Sequence, residues 1–130
     1  ENEIDGQTYP LEGHFVYKTD NGKITVISVL YNYGDENQAL KQIWDKMPQA
    51  ANTETELPQA ISLDDFYPED KDYYNFEGSL TTPPCTEGVN WIVFKNQETV
   101  SKEQVEKFTQ TLGFENNRPI QDTNGRKIKE

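Results

Sequence analysis

The 130-residue sequence predicts a mostly β fold of the α+β class, in which peripheral helices flank a sheet. Segments rich in β-branched and aromatic residues lie at 9–18, 23–33 and 88–95, whereas apolar residues recur at helical spacing in only two places. The length is that of one domain with one modest core. Its hydrophobic content of 33% is low, but 12% aromatic residues exceed what a disordered chain carries, so we expect it to fold.

The first two strands are predicted to form an antiparallel hairpin. The segments "YPLEGHFVYK" and "KITVISVLYNY" flank "TDNGK", which contains the Asn-Gly pair of a tight turn. In the second strand both alternating sets are apolar, and these sets are Ile24, Val26 and Leu30, and Ile27, Val29 and Tyr31. A strand covered on both faces has this pattern, so we expect it to be central in the sheet.

Two helices are predicted outside the sheet. We expect Asp35 to cap the first, with Gln38 at its third position and Pro48 at its end. Its core-facing stripe consists of Leu40, Ile43, Trp44 and Met47. Ser101 and Gln104 have the spacing of a capping box, so a second helix is expected to begin there. The residues that this helix is expected to bury are Val105, Phe108 and Leu112.

The strongly acidic composition excludes some classes of partner. A formal charge of −11, from 23 acidic and 12 basic side chains, would repel nucleic acids and anionic lipid surfaces. No apolar run approaches the roughly 20 residues that span a bilayer. The opening "ENEIDGQTYP" has neither a basic start nor an apolar run, so no signal peptide is expected there, and it lacks an initiator Met. We therefore expect neither a nucleic acid nor a membrane as partner.

The only histidine lies on the first predicted strand. Because side chains alternate along a strand, Glu12, His14 and Val16 share one face. Taken alone, such a histidine is more often structural than a metal ligand. The segments "EGHFVY" and "GSLTTPPCTEGVNW" favour the second interpretation, because with them the chain resembles the α-class carbonic anhydrases. These are zinc enzymes that interconvert carbon dioxide and bicarbonate.

The resemblance extends over the whole chain, through "YPLEGHFVY", "DNGKITVISVLYNYG", "YYNFEGSLTTPPCTEGVNWIVF" and "NRPIQ". It implies a twisted, largely antiparallel central sheet. It covers only about the C-terminal half of the family's catalytic domain, so residues 1–130 are expected to be the C-terminal portion of a single domain. The chain begins at the glutamate that follows the family's His-x-His strand. Two of the three zinc ligands are therefore expected upstream.

The resemblance implies a role for each residue of a zinc site. His14 matches the third zinc ligand, and Glu12 matches the carboxylate that holds its other ring nitrogen. Thr81 matches the threonine that orients zinc-bound hydroxide and donates its own proton to a glutamate, here Glu1. Thr82 would border the bicarbonate site. The apolar wall that receives carbon dioxide is matched by Val16, Val26, Leu80, Val89 and Trp91, although an ordinary core would use these positions equally well.

The loop after the threonines carries two further signals. Pro83 and Pro84 are expected to make it rigid, and an X-Pro bond can adopt the cis form at little cost.

In many exported bacterial-type members of the family, the cysteine at the position of Cys85 pairs with one near the N terminus. With a single cysteine this chain can form no internal disulfide. The resemblance thus implies a periplasmic or secreted parent protein.

Three hypotheses of function remain open. In the first, which we favour, carbon dioxide hydration requires the missing N-terminal half, in trans or in the parent chain, because one histidine cannot supply three imidazoles. In the second, the chain is a binding or assembly module that works without zinc. In the third, several copies share a zinc site through His14, with side chains such as Glu1 filling in. Uncovered sheet edges and apolar surface would favour oligomers.

Overall fold

The computed structural model describes residues 1–130, which form five strands, two helices and one short 3-10 turn. The strands are β1 (Leu11–Lys18), β2 (Ile24–Tyr33), β3 (Tyr73–Ser79), β4 (Glu87–Phe94) and β5 (Glu98–Val100). The helices are α1 (Gln38–Trp44) and α2 (Lys102–Leu112), and the 3-10 turn is Leu63–Phe66. No helix is both long enough and apolar enough to cross a membrane.

One mixed sheet organises the chain, with strand order β1-β2-β4-β3. The pairs β1–β2 and β3–β4 are antiparallel, whereas β2 pairs in parallel with β4 along its first half and with β5 at its end. The predicted hairpin is confirmed, since Lys18 lies opposite Ile24. In its turn, the Thr19 amide donates to the Lys23 carbonyl at 2.9 Å, and Gly22 has a φ of +84°, which glycine adopts without strain.

The central position of β2 is also confirmed, because apolar layers cover both of its faces. One layer, under the helices, contains buried Val29, Tyr31, Ala39, Leu40, Phe66, Phe94 and Val100. The opposite layer contains buried Val26, Leu30, Val89, Trp91 and Val93. Segments near the two chain ends, rather than helices, lie over this second layer. His14 and Glu12 belong to the same face, since they alternate with Gly13 and Phe15 along β1.

The helices differ from the prediction in detail. The prediction that Asp35 caps α1 is wrong, because Asn37 is the N-cap and its side chain accepts from the Leu40 amide at 2.9 Å. The capping box of Ser101 and Gln104 is confirmed. Leu112, however, is exposed rather than buried, since it lies in the last turn of α2, beyond the apolar layer. Strands β3 and β5 were not predicted.

The buried Tyr31 hydroxyl has no hydrogen-bond partner. Burial, together with the nearby Glu98 carboxylate, raises the pKa of this phenol. Because an unpaired buried polar group opposes folding, Tyr31→Phe is expected to raise the free energy of unfolding by about 1 kcal/mol. Urea unfolding followed by circular dichroism measures this. Tyr33→Phe, at an exposed position of the same strand, is the control, and equal effects of the two substitutions would contradict the prediction.

Candidate active site

A histidine–carboxylate pair on β1 forms the centre of the candidate site. The His14 Nε2 atom lies 2.8 Å from Glu12 Oε1, so the carboxylate holds this nitrogen as a donor. The other ring nitrogen, Nδ1, lies 3.5 Å from Glu1 Oε2, which is longer than an ordinary hydrogen bond. The pair therefore fixes both the tautomer and the orientation of the imidazole, as carboxylate partners do for metal-binding histidines.

Neighbouring polar groups hold Glu12 in its ionised form. The Ser28 hydroxyl donates to Glu12 Oε1 at 2.6 Å, and the Asn2 amide donates to Oε2 at 2.8 Å. Burial alone would raise the pKa of the Glu12 carboxyl, but its hydrogen bonds to His14 and Ser28 and its electrostatic interaction with the His14 ring hold that pKa well below its usual range. Glu12 is thus a carboxylate with a fixed orientation.

The threonine loop follows β3. It carries the cis bond between Pro83 and Pro84, and it is closed by two backbone hydrogen bonds, from Leu80 to Thr86 at 2.9 Å and from Cys85 to Thr82 at 2.8 Å. Thr81 is half-buried and lines the same cavity as Glu1, although no hydrogen bond joins the Thr81 hydroxyl to that carboxylate. Thr82 is exposed, and Cys85 is a half-buried free thiol.

Trp91 connects the apolar wall to the histidine. Its indole meets the His14 ring edge-on, with ring centroids 4.9 Å apart, and its Nε1–H donates to the Ser79 carbonyl at 3.0 Å. In the register of the sheet, Val26 lies between Val16 on β1 and Trp91 on β4. Three of the five predicted wall residues, Val26, Val89 and Trp91, are buried.

The predicted wall is not closed on the β1 side. Leu80 is only partly buried against Trp91 and its neighbours, and Val16 is 60% exposed. A cavity of about 730 Å³ is lined by Glu1, Thr81 and Trp91 together with the C-terminal segment, and His14 is not among its lining residues. The structure therefore brings His14, Glu12 and Trp91 together and places Thr81 and Glu1 on the wall of one cavity, but it does not enclose all of them in one pocket.

Three residues of this region were missed in the sequence. Ser28 and Asn2 bind Glu12, and the Arg118 amide donates to Glu1 Oε1 at 2.7 Å. Ser28 had a detectable signal, because it is a polar residue in the otherwise apolar set of Val26 and Leu30. Asn2 and Arg118 had none, since they lie in irregular segments whose path depends on tertiary packing.

The side chains present fit one position of a zinc site but not a complete one. Catalytic zinc ordinarily has three protein ligands. His14, held through Nε2, presents Nδ1 as one ligand atom. Within residues 1–130, however, no group of three His, Cys, Asp or Glu side chains is arranged to hold a metal ion.

Comparison with known proteins agrees with the geometry of this site. The chain is 45% identical over 130 residues to a carbonic anhydrase of Neisseria gonorrhoeae (100% of this chain, 51% of the relative) and 43% identical over 128 residues to one of Pectobacterium carotovorum (98% and 52%). The α-carbonic anhydrase of Thermovibrio ammonificans, solved with the inhibitor sulfanilamide, superposes with a TM-score of 0.92 at 48% identity, covering 95% of this chain and 55% of that one. These are carbonic anhydrases.

A family model described as eukaryotic-type carbonic anhydrase matches residues 1–130. The chain belongs to this family. Its strands and helices correspond to the largely antiparallel sheet with few helices that the resemblance implied. The chain spans about half the length of the curated relatives it matches.

Proposed function

We propose that the chain is the C-terminal portion of a carbonic anhydrase domain, and that the complete domain catalyses the reversible hydration of carbon dioxide to bicarbonate. The observation that carries this proposal is the Glu12–His14 pair, because a buried carboxylate holds Nε2 of the only histidine at 2.8 Å and leaves Nδ1 as the ligand atom. The remaining zinc ligands come from residues outside these 130. Zinc, when bound, makes a nucleophile available from water at neutral pH, for which carbonic anhydrase is a well-known case.

The chain's own residues prepare that chemistry. Glu12 keeps the His14 ring in one orientation, and the apolar wall around Trp91 excludes water from the position of a substrate without a net dipole. Thr81 would donate its hydroxyl proton to Glu1, so that the threonine oxygen accepts a hydrogen bond from the nucleophile and fixes its direction. Such orientation contributes to rate because only a few geometries lead to reaction. Thr82 would border the bicarbonate product.

A second candidate is a binding or assembly module that works without zinc. The open wall at Val16 and the incomplete ligand set favour it. A zinc site shared between copies through His14 is a further alternative. Zinc content distinguishes all three, because the shared site predicts fewer metal ions than chains in the isolated protein.

The test is complementation. The chain is mixed with a polypeptide carrying the part of the Neisseria gonorrhoeae relative that lies N-terminal to the matched region. Zinc is then measured by elemental mass spectrometry, and carbon dioxide hydration by stopped flow. We expect one zinc per complex together with hydration activity. His14→Ala should abolish both, whereas Lys18→Ala, at an exposed position of β1, should leave both intact.

Thr81→Val separates metal binding from the reaction in the same mixture. We expect zinc content to be unchanged and kcat/KM to fall on the order of 100-fold, because the orienting hydroxyl is removed. A complex without zinc in any mixture would overturn the proposed function. The absence of both zinc and hydration activity in every mixture would favour the binding module, and zinc in the isolated chain that is lost in His14→Ala would favour the shared site.

A further inference from the structure

The C-terminal segment, residues 114–130, lies against the strand that leads into the threonine loop. It has no regular secondary structure of its own. Asn75 on β3 and Lys129 exchange two backbone hydrogen bonds, each of 2.8 Å. Arg126 donates to the Glu77 carbonyl at 3.0 Å, and its guanidinium lies over the Phe76 ring, 5.7 Å from the centroid. The segment is thus attached along the length of β3.

Arg118 connects this segment to two parts of the candidate site. Its backbone N–H donates to Glu1 Oε1 at 2.7 Å. Its guanidinium Nη1 donates to the Ser79 hydroxyl at 3.2 Å, two residues before Thr81. Because the next residue is Pro119, the backbone of Arg118 is restricted to extended conformations, which narrows the directions in which its N–H can point.

The hydrogen bonds at Ser79 have a defined polarity. A guanidinium can only donate, so the Ser79 hydroxyl must accept from Arg118 and keep its own hydrogen for another acceptor. That acceptor is the Leu80 carbonyl, at 3.0 Å from the Ser79 Oγ atom. The Ser79 carbonyl accepts from Trp91 at the same time. Arg118 therefore orients the peptide unit that precedes Thr81.

The amide contact also decides which Glu1 oxygen is available. Oε1 is occupied by the Arg118 N–H, whereas Oε2 faces the His14 ring at 3.5 Å. A carboxylate held through one oxygen can present the other in a fixed direction. We assign Oε2, which accepts no other hydrogen bond, as the oxygen that would accept a hydrogen bond from the Thr81 hydroxyl.

We propose that Arg118 is a positioning residue for the site, acting on Glu1 through its backbone N–H and on Thr81 through Ser79 and Leu80. Its effect on catalysis rests on the function proposed above. The effect of Arg118 on the order of the loop and on the orientation of Glu1 does not depend on that function. The positioning role of Arg118 and the proposed function can therefore fail separately.

Hydrogen exchange of the 130-residue chain, followed by NMR, tests the effect on the loop without metal or activity. Arg118→Ala is expected to speed exchange of the Leu80 and Cys85 amides roughly tenfold, because a charged hydrogen bond no longer holds the loop closed. Ser79→Ala should give the same change, and the double variant no further change. Arg118→Lys should restore part of the protection. Lys127→Ala, which removes an exposed cation from the same segment, is the matched control.

The second measurement reports on Glu1 directly. In Glu1→Gln the amide proton of Arg118 is expected to move upfield, because a neutral oxygen replaces a charged acceptor at the same place. This shift reports the hydrogen bond between the Arg118 N–H and the Glu1 carboxylate itself. The proposal is overturned if Arg118→Ala leaves the loop amides unchanged, if it speeds exchange equally in the buried part of β2, or if the Arg118 resonance does not respond to Glu1→Gln.

Discussion

Gln104→Ala is expected to lower the free energy of unfolding by about 3 kcal/mol, because this side chain joins the first turns of both helices. It is 6% exposed. Its Oε1 accepts from the Asn37 amide at 2.9 Å and from the Ser101 amide at 3.1 Å, and its Nε2 donates to the Asn37 carbonyl at 2.9 Å. The alanine variant would leave the buried Asn37 amide without a partner and the Asn37 carbonyl with only the Lys41 amide, and a buried donor without a partner is costly.

Urea unfolding measures this difference. Gln110→Ala, on an exposed position of the same helix, controls for helix propensity and should change stability by less than about 0.5 kcal/mol. Gln104→Glu keeps an acceptor but places a carboxylate against the Asn37 carbonyl, so it should also be destabilising. Equal stability of Gln104→Ala and Gln110→Ala would show that the buried hydrogen bonds do not hold the helices together.

Trp91→Ala is expected to cost about 3–5 kcal/mol, which in a domain of marginal stability can prevent folding. Trp91 is 3% exposed and lies in the middle of the layer that carries the candidate site. It stacks parallel to Phe76, with centroids 6.2 Å apart, and meets His14 edge-on. Its removal leaves a cavity beside the imidazole and takes away the indole hydrogen bond to the Ser79 carbonyl.

A smaller substitution separates the contribution of aromatic packing to stability from that of the hydrogen bond to Ser79. Trp91→Phe keeps an aromatic ring in the layer but loses the hydrogen bond to Ser79, so the loss should be smaller than for alanine. Phe114→Ala, which removes an exposed aromatic side chain, should have little effect. The measurement is again urea unfolding, and a Trp91→Ala protein as stable as Phe114→Ala would contradict the assignment of Trp91 to the core.

The parts of the fold that depend on local pattern could be predicted from the sequence. The hairpin of β1 and β2 was predictable because Asn-Gly and apolar alternation are short-range signals. The cap of α1 was not, because Asp35 and Asn37 are both good caps and the choice depends on the long-range contact of Asn37 with Gln104. Strand β5 has three residues, too few for a period-2 pattern to be recognised.

In the candidate site, too, some residues could be predicted from local sequence patterns, whereas others are placed by long-range contacts. The common face of Glu12 and His14 followed from strand alternation, and their contact is present at 2.8 Å. The roles of Thr81, Thr82 and Glu1 came from resemblance to a family and remain predictions. Arg118 could not be found in the sequence, because its partners Glu1 and Ser79 lie 117 and 39 residues away along the chain.

The exposed turn between β1 and β2 determines which face of the sheet carries the His14 imidazole. The turn sets the register in which His14 lies opposite Ser28. Strand side chains have a period of two, so a shift of one residue would rotate every side chain of β1 to the opposite face. Phe15 would then take the place beside Trp91, and His14 would lie under the helices. An inserted or deleted residue in this solvent-exposed turn that shifted the register would therefore remove His14 from the candidate site, although no residue of the site itself would be changed.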